Sequence, residues 1–229
     1  MSTIVLLHGA YQGGWIWNLV AAELRAQGHQ VFTPTLDGCA ERAMYLRPGI
    51  TTESQAEEVA AMMHFYDLKD VVLAGTSTGG MVLCAVAERA RDRIGRVVFA
   101  DALALMDGER LDDIVNRPTK VNSALTSGPS RDDAEGRLFA DFAPALKQFA
   151  LDRYTQHPIA AMEAPVRLSS FWQQKWDATV LWCRRSANPP RAHQERARDT
   201  LGARWHELDT GHYPMLTEPA ALARIIAQG

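Results

Sequence analysis

The chain has 229 residues, of which 47% are hydrophobic and 22% charged, a composition typical of a globular protein with a substantial buried core. Its formal net charge of -3 argues against broad electrostatic binding to nucleic acid or to an anionic membrane, and its apolar runs are too short to span one. The three cysteines are too few and too scattered for a disulfide framework or a zinc site, so we expect reduced thiols in the cytoplasm.

Short runs rich in Val, Ile and Leu alternate with amphipathic segments, which is typical of parallel strands covered on both faces by crossover helices. We predict strands at residues 3–7, 30–34, 71–74, 96–100, 179–183 and 204–208. We predict helices at residues 17–27, 52–66, 79–89 and 219–228. Gly28 follows the first helix as a left-handed cap, and Thr52 with Gln55 has the spacing of a capping box for the second. The prediction is one α/β domain over residues 1–229, with a mostly parallel six-stranded sheet flanked by helices.

The alternation of strands and helices stops between about residues 105 and 176, where Pro, Ser, Asp and aromatic residues follow no clear period. A structureless loop of this length would be unusual inside a compact domain. We therefore predict a helical cap, inserted over the C-terminal edge of the sheet.

A G-x-S-x-G sequence joins the third predicted strand to the next helix, with Ser77 between Gly75 and Gly79. A serine on such a sharp turn is raised above the sheet, and side chains at the two glycine positions would collide with neighbouring backbone. The alternative is an ordinary strand-to-helix turn, but the strand before it and the helix after it favour Ser77 as a nucleophile.

A serine nucleophile needs a base, and His212 is the best placed of the seven histidines. It follows the last predicted strand and precedes the last helix, where a parallel sheet presents loops to its active edge. The alternative for His212 is a simple turn residue. The other histidines fall in predicted helices, a strand, the cap or the first loop, and fit the role less well.

Two backbone N–H groups are expected to form an oxyanion hole. One belongs to Thr78, directly after the nucleophile, and the other to Ala10, in the glycine-rich loop after the first strand. His8 lies in the same loop, where we expect it to brace the backbone rather than to transfer protons.

Together these motifs resemble the methylesterase and hydroxynitrile-lyase branch of the α/β-hydrolases. The resemblance covers nearly the whole chain outside the cap and rests on residues 8–10, 13–15, 36–42 and 209–212 and on the Ser77 turn. It implies an α/β-hydrolase fold and a catalytic triad. The hydroxynitrile lyases of this branch carry threonine after the first-loop histidine and a cyanide-stabilising lysine after the catalytic histidine. Gly9 and Tyr213 stand at these positions here, which favours hydrolysis over lyase chemistry.

The third triad member departs from the pattern of the family, whose usual aspartate position is occupied by Ser186. A serine cannot supply the negative charge that stabilises a forming imidazolium. Asp101 is the best replacement, because it follows the strand next to the nucleophile strand. The alternatives are that Asp101 caps a turn or helix, or that Ser77 and His212 act as a dyad without an acid.

Aromatic residues on the first loop and at the end of the cap are candidates for substrate contact. We expect Trp15 and Trp17 to pack in the core. Tyr11, Phe171 and Trp172 are as well suited to line a substrate cavity as to fill the core.

The sequence thus predicts a serine hydrolase that cleaves a small carboxylic ester or amide, with no metal or organic cofactor. A small-molecule substrate is the expected partner, without nucleic acid or membrane, and a homodimer is left open. Two alternatives are a non-hydrolytic enzyme on this scaffold, such as a lyase or cofactor-free oxygenase, and a ligand-binding receptor that retains a slow triad. Ser186 and Thr76 beside the nucleophile motivate the first alternative.

Overall fold

The computed structural model describes residues 1–228, which form a central parallel sheet covered by helices on both faces. The strands in chain order are β1 (Thr3–Leu7), β2 (Gln30–Phe32), β3 (Val71–Ser77), β4 (Ile94–Ala102), β5 (Val121–Asn122), β6 (Thr126–Gly128), β7 (His157–Pro158), β8 (Ala178–Cys183) and β9 (Arg204–Leu208). The central sheet has six strands in the order β2-β1-β3-β4-β8-β9, and every pairing in it is parallel. The predicted six-stranded α/β architecture is confirmed.

The helices that follow the strands are α1 (Asn18–Ala26), α2 (Thr52–Phe65), α3 (Gly79–Arg89), α4 (Leu111–Ile114), α5 (Arg131–Asp133), α6 (Pro144–Leu151), α7 (Ile159–Glu163), α8 (Arg191–Leu201), α9 (Pro214–Thr217) and α10 (Pro219–Gln228). Helix α2 packs against α3, and α1 packs against α10. Buried aliphatic side chains of β1, β3 and β4 alternate between two apolar clusters, one beneath each layer of helices. None of the helices in residues 1–228 combines the length and the apolar character that a membrane span requires.

The start of α2 corrects one detail of the sequence prediction. The capping box is formed by Thr51 and Ser54, because the Ser54 N–H donates to Thr51 Oγ1 at 3.2 Å and the Thr51 N–H donates to Ser54 Oγ at 2.9 Å. Gln55 is buried instead, and its side-chain amide donates to the Asp37 carbonyl at 2.9 Å. Gln55 is thus buried in the core, and the N-cap of α2 is Thr51, one residue before the position that the spacing of Thr52 and Gln55 had predicted.

The inserted segment between β4 and β8 also differs from the prediction, because it is not purely helical. It combines α4 to α7 with a small antiparallel sheet in the order β5-β6-β7. These strands have only two or three residues, too few to show an alternating pattern in the sequence. Gly128 of β6 lies against the ring of Tyr11, where an added Cβ would come within 2.6 Å of the ring. The small sheet therefore packs directly on the loop that follows β1.

Candidate active site

The nucleophile candidate lies at the C-terminal end of β3, directly before α3. Ser77 has a φ angle of 51°, in the left-handed region that residues with side chains seldom adopt. A Cβ on Gly75 would approach the Gly79 carbonyl oxygen to 2.7 Å, and a Cβ on Gly79 would approach the carbonyl oxygens of Leu7 and His8 to 2.6 Å. The two glycines thus allow the tight turn that the G-x-S-x-G pattern predicted.

The loop after β1 is held in place by His8, as expected. Its fully buried ring accepts the Leu36 N–H at Nε2 over 2.9 Å, so the neutral ring carries its proton on Nδ1 and donates it to the Gly9 carbonyl at 2.8 Å. Burial lowers the pKa of His8 to about 4, which keeps the ring neutral at pH 7. The next residue, Gly9, lies against Ser77, because an added Cβ would come within 2.5 Å of the Ser77 Cβ.

The two amides expected to form the oxyanion hole border the same cavity. Ala10 and Thr78 both line the pocket that Ser77 opens into. Thr78 is the N-cap of α3, where backbone N–H groups lack intrahelical acceptors and the helix dipole favours negative charge. This position suits the stabilisation of an oxyanion beside Ser77.

His212 is held by the carboxylate of Asp101. Its Nδ1 atom lies 2.6 Å from Asp101 Oδ2, and the other carboxylate oxygen accepts the Cys183 N–H at 3.1 Å. Asp101 is fully buried and has a φ angle of 49° at the end of β4. Because Nδ1 faces Asp101, Nε2 is the nitrogen left for the hydroxyl of Ser77, and both side chains line the same pocket.

Ser186 approaches the same ring nitrogen from the loop after β8. Its Oγ lies 3.5 Å from His212 Nδ1 and donates a shorter hydrogen bond of 3.0 Å to the Asn188 carbonyl. The contact between Ser186 and the ring is longer than a normal hydrogen bond of a hydroxyl. The charged partner of the imidazole is therefore Asp101.

The pocket over Ser77 encloses about 690 Å³ of empty space, including its open mouth. Its walls come from the catalytic loops and from the cap, and they include Tyr11, Leu103, Leu111, Met162, Pro189 and Tyr213. Apolar side chains line most of this space together with a few polar groups, a combination typical of sites that bind small organic molecules. Tyr11 thus lines the pocket, and its contact with substrate remains a prediction.

The cap aromatics Phe171 and Trp172 are not among the residues that line this pocket. Phe171 is fully buried, and its ring stacks on Trp176 with a centroid distance of 5.1 Å. The Trp172 indole N–H donates to the Leu105 carbonyl at 3.0 Å. The expectation that this pair contacts substrate is corrected: the two residues fasten the end of the cap to the core. Trp17 is fully buried, as expected, and the half-buried Trp15 packs against the same apolar cluster and edge-on against Phe149.

Some pocket residues had not been identified from the sequence, namely Gln12, Arg117, Lys120, Arg137, Asn188 and Pro189. Gln12 follows the first-loop motif closely, and its side-chain oxygen accepts the Gly9 N–H at 3.4 Å. The three cationic residues lie in the cap, where no periodic pattern indicated which side chains face inward. Within residues 1–228, no cluster of three or more His, Cys, Asp or Glu side chains is arranged to bind a metal ion.

Comparison with known proteins identifies the fold and the relatives of this chain. A family model described as "Alpha/beta hydrolase family" matches residues 4–225. Among curated proteins, a carbendazim hydrolyzing esterase of Nocardioides sp. (strain SG-4G) is 36% identical over 130 residues, which are 56% of this chain and 54% of that protein. Methylesterase 8 of Arabidopsis thaliana is 27% identical over 161 residues, which are 69% of this chain and 57% of that protein. The matches thus span about half the length of these relatives.

Solved structures of similar fold cover the chain completely. An extracellular alpha/beta-hydrolase from a Paenibacillus species, described as sharing structural and functional homology with tobacco salicylic acid binding protein 2, has a TM-score of 0.85 at 23% identity. The match covers 100% of this chain and 98% of that one. The methylesterase MES16 from Arabidopsis has a TM-score of 0.80 at 14% identity, with 100% and 98% coverage. The resemblance to the methylesterase branch is confirmed, and at these identities the structures show the fold alone.

Proposed function

This chain belongs to the alpha/beta hydrolase family, and on that premise we propose that it is a serine hydrolase that cleaves a small carboxylic ester or amide through an acyl-enzyme. One observation carries the proposal: His212 is held by the buried Asp101 carboxylate and lines the same pocket as Ser77. The esterase and methylesterase names of the relatives support an ester as substrate. We further propose a cytoplasmic location.

The first half of the reaction forms the acyl-enzyme. His212 takes the proton of the Ser77 hydroxyl at Nε2 while the serine oxygen attacks the substrate carbonyl. The carbonyl oxygen then carries a negative charge, which the N–H groups of Ala10 and Thr78 stabilise. Collapse of the tetrahedral intermediate breaks the bond to the leaving group, and His212 returns the proton to the departing alcohol or amine.

The second half releases the acid. A water molecule attacks the acyl carbon, and His212 accepts one of its protons. His212 then returns this proton to the Ser77 oxygen as the bond between that oxygen and the acyl carbon breaks, which frees the acid and regenerates the enzyme. In both halves the imidazole becomes positively charged. The carboxylate of Asp101, 2.6 Å from Nδ1, stabilises that charge and keeps the ring in the required orientation.

A fluorophosphonate probe tests this proposal, because it reacts with activated serine nucleophiles. We expect rapid labelling of the wild-type protein and of a Thr76→Val control, and none of Ser77→Ala. A parallel screen of small methyl, aryl and amide substrates should give turnover that the Ser77→Ala substitution abolishes. A wild-type protein that neither reacts with the probe nor turns over any of these substrates would favour a non-hydrolytic enzyme or a ligand-binding protein.

A further inference from the structure

Three cationic side chains lie on the cap side of the pocket. Arg117, Lys120 and Arg137 line the cavity above Ser77, and no carboxylate belongs to its described lining. A mechanism in which Ser77, His212 and Asp101 act on a carbonyl group uses none of these three cations.

Two of the cations are neutralised by carboxylates behind the wall. Asp112 lies 2.5 Å from Arg117 Nε and 2.5 Å from Lys120 Nζ. Glu163 lies 3.0 Å from Arg117 Nη2 and 3.1 Å from Lys120 Nζ. These four charges cancel, and the network fixes the Arg117 side chain, which is only 8% exposed.

Arg137 adds a positive charge that has no such partner. Its guanidinium donates to Thr119 Oγ1 at 2.7 Å, and no carboxylate of residues 1–228 lies within 4.0 Å of it. Its charge acts on the phenols of Tyr11, Tyr154 and Tyr213, where it opposes the rise in pKa that burial causes. Asp133 and Asp141 act on Tyr154 and Tyr213 with the opposite sign. Arg137 is exposed to solvent, and among the three cations that line the cavity it is the one without a paired carboxylate.

Arg117 also lies beside Tyr11 at the cavity. Its guanidinium has five N–H groups, and four of them donate, to Asp112, Ser127, Met162 and Glu163. Burial raises the pKa of the Tyr11 phenol, and the charge and hydrogen bonding of Arg117 oppose that rise, so the two side chains lie next to each other at the cavity.

We infer that Arg137, Arg117 and Tyr11 bind a carboxylate at the end of the substrate remote from Ser77, so that the preferred substrates are monoesters of short dicarboxylic acids. The inference rests on the proposed function, since the ester end of such a molecule must reach Ser77. A guanidinium group binds a planar carboxylate through two parallel hydrogen bonds. One unpaired guanidinium matches a singly charged carboxylate better than a phosphate dianion.

A matched pair of substrates tests the inference. Monomethyl glutarate and its neutral amide analogue, methyl glutaramate, differ only in the terminal group, and methanol release reports both reactions. We expect wild-type kcat/KM to be about tenfold higher for the monoester, mainly through a lower KM, and the preference to fall as salt is added. In Arg137→Gln the preference should largely disappear. Arg224→Gln, which removes the same charge from an exposed position on α10, should retain it.

A binding measurement separates this inference from the catalytic proposal. Ser77→Ala should bind monomethyl glutarate by calorimetry at least about tenfold more tightly than methyl glutaramate, whether or not the wild type is a hydrolase. Equal binding of the two compounds, or equal loss of preference in Arg137→Gln and Arg224→Gln, would overturn the carboxylate site. If the fluorophosphonate probe labels Ser77 while the two compounds bind equally, the proposed hydrolase stands and the carboxylate site is wrong.

Discussion

Two candidate acid positions converge on one nitrogen of His212. Asp101 reaches it at 2.6 Å from the end of β4, and Ser186 reaches it at 3.5 Å from the loop after β8. The family resemblance places the usual aspartate at the second position. Both positions therefore lie close to the same ring nitrogen, and Asp101 is the closer of the two.

Loss of the Asp101 charge should therefore impair turnover strongly. We expect Asp101→Asn to lower kcat by about 10²–10⁴-fold, because the amide neither stabilises the imidazolium nor enforces the required tautomer. Thermal unfolding measured alongside kcat would show that the variant is folded. Full turnover in a folded Asp101→Asn protein would mean that Ser77 and His212 act without this acid.

Ser186→Asp should restore part of the activity lost in Asp101→Asn. An aspartate at position 186 brings its carboxylate to the nitrogen that Ser186 Oγ approaches to 3.5 Å. We expect the double variant to exceed the single variant in kcat by about tenfold or more, whereas Ser186→Ala in the wild type should change kcat little. Steady-state kinetics of the three proteins check this, and equal activity of the single and double variants would refute it.

At the scale of elements, the turn from β3 to α3 depends on close backbone packing. A Cβ at position 79 would lie 2.6 Å from the carbonyl oxygens of Leu7 and His8. We expect Gly79→Ala to destabilise the protein by about 2 kcal/mol or more, since buried backbone must move to admit the methyl group. Gly136→Ala is the matched control, because nothing lies within 4 Å of its added Cβ. Urea unfolding of both variants measures the difference, and similar free energies of unfolding would contradict the account.

The elements that could be predicted from the sequence are those with a period or a motif. β1, β9, α3 and α10 have the predicted bounds, because apolar runs and glycine or proline boundaries define them locally. The sequence indicated the cap only because the alternation of strands and helices stops between about residues 105 and 176. Its short strands are held by contacts such as that between Gly128 and Tyr11, which join residues far apart in the chain. For the same reason the sequence placed Phe171 and Trp172 at the substrate and did not identify Arg117 or Arg137.

At the scale of the whole molecule, three buried histidines make the fold sensitive to acid. Burial lowers the pKa of His8 and of His193 to about 4 and that of His157 to about 3, whereas each has a pKa of 6.5 in the unfolded chain. Below pH 6.5 the unfolded chain therefore binds protons that the folded protein does not. We expect the contribution of these three histidines to the free energy of unfolding to be constant above about pH 7.5. The free energy of unfolding should fall between pH 6.5 and 4, by up to about 1.4 kcal/mol per pH unit for each histidine.

Substitution of one of these histidines tests the assignment. His193 Nε2 accepts the Ala104 N–H at 2.9 Å, and the side-chain oxygen of a glutamine is able to accept the same hydrogen. Urea unfolding of His193→Gln between pH 7 and 4.5 should show a shallower loss of stability than the wild type. His64→Gln, at an exposed position on α2, is the control and should leave the slope unchanged. Identical slopes for all three proteins would refute the role of His193.

We expect the Ser77 oxygen to become acylated during turnover. Rapid acid quenching of the reaction with p-nitrophenyl acetate, followed by mass mapping of the peptides, measures this directly. We predict an acetyl group on the peptide that contains Ser77, located on Ser77 itself and formed together with a burst of p-nitrophenol. Steady hydrolysis without an acyl group on Ser77, or with one on another residue, would contradict the account.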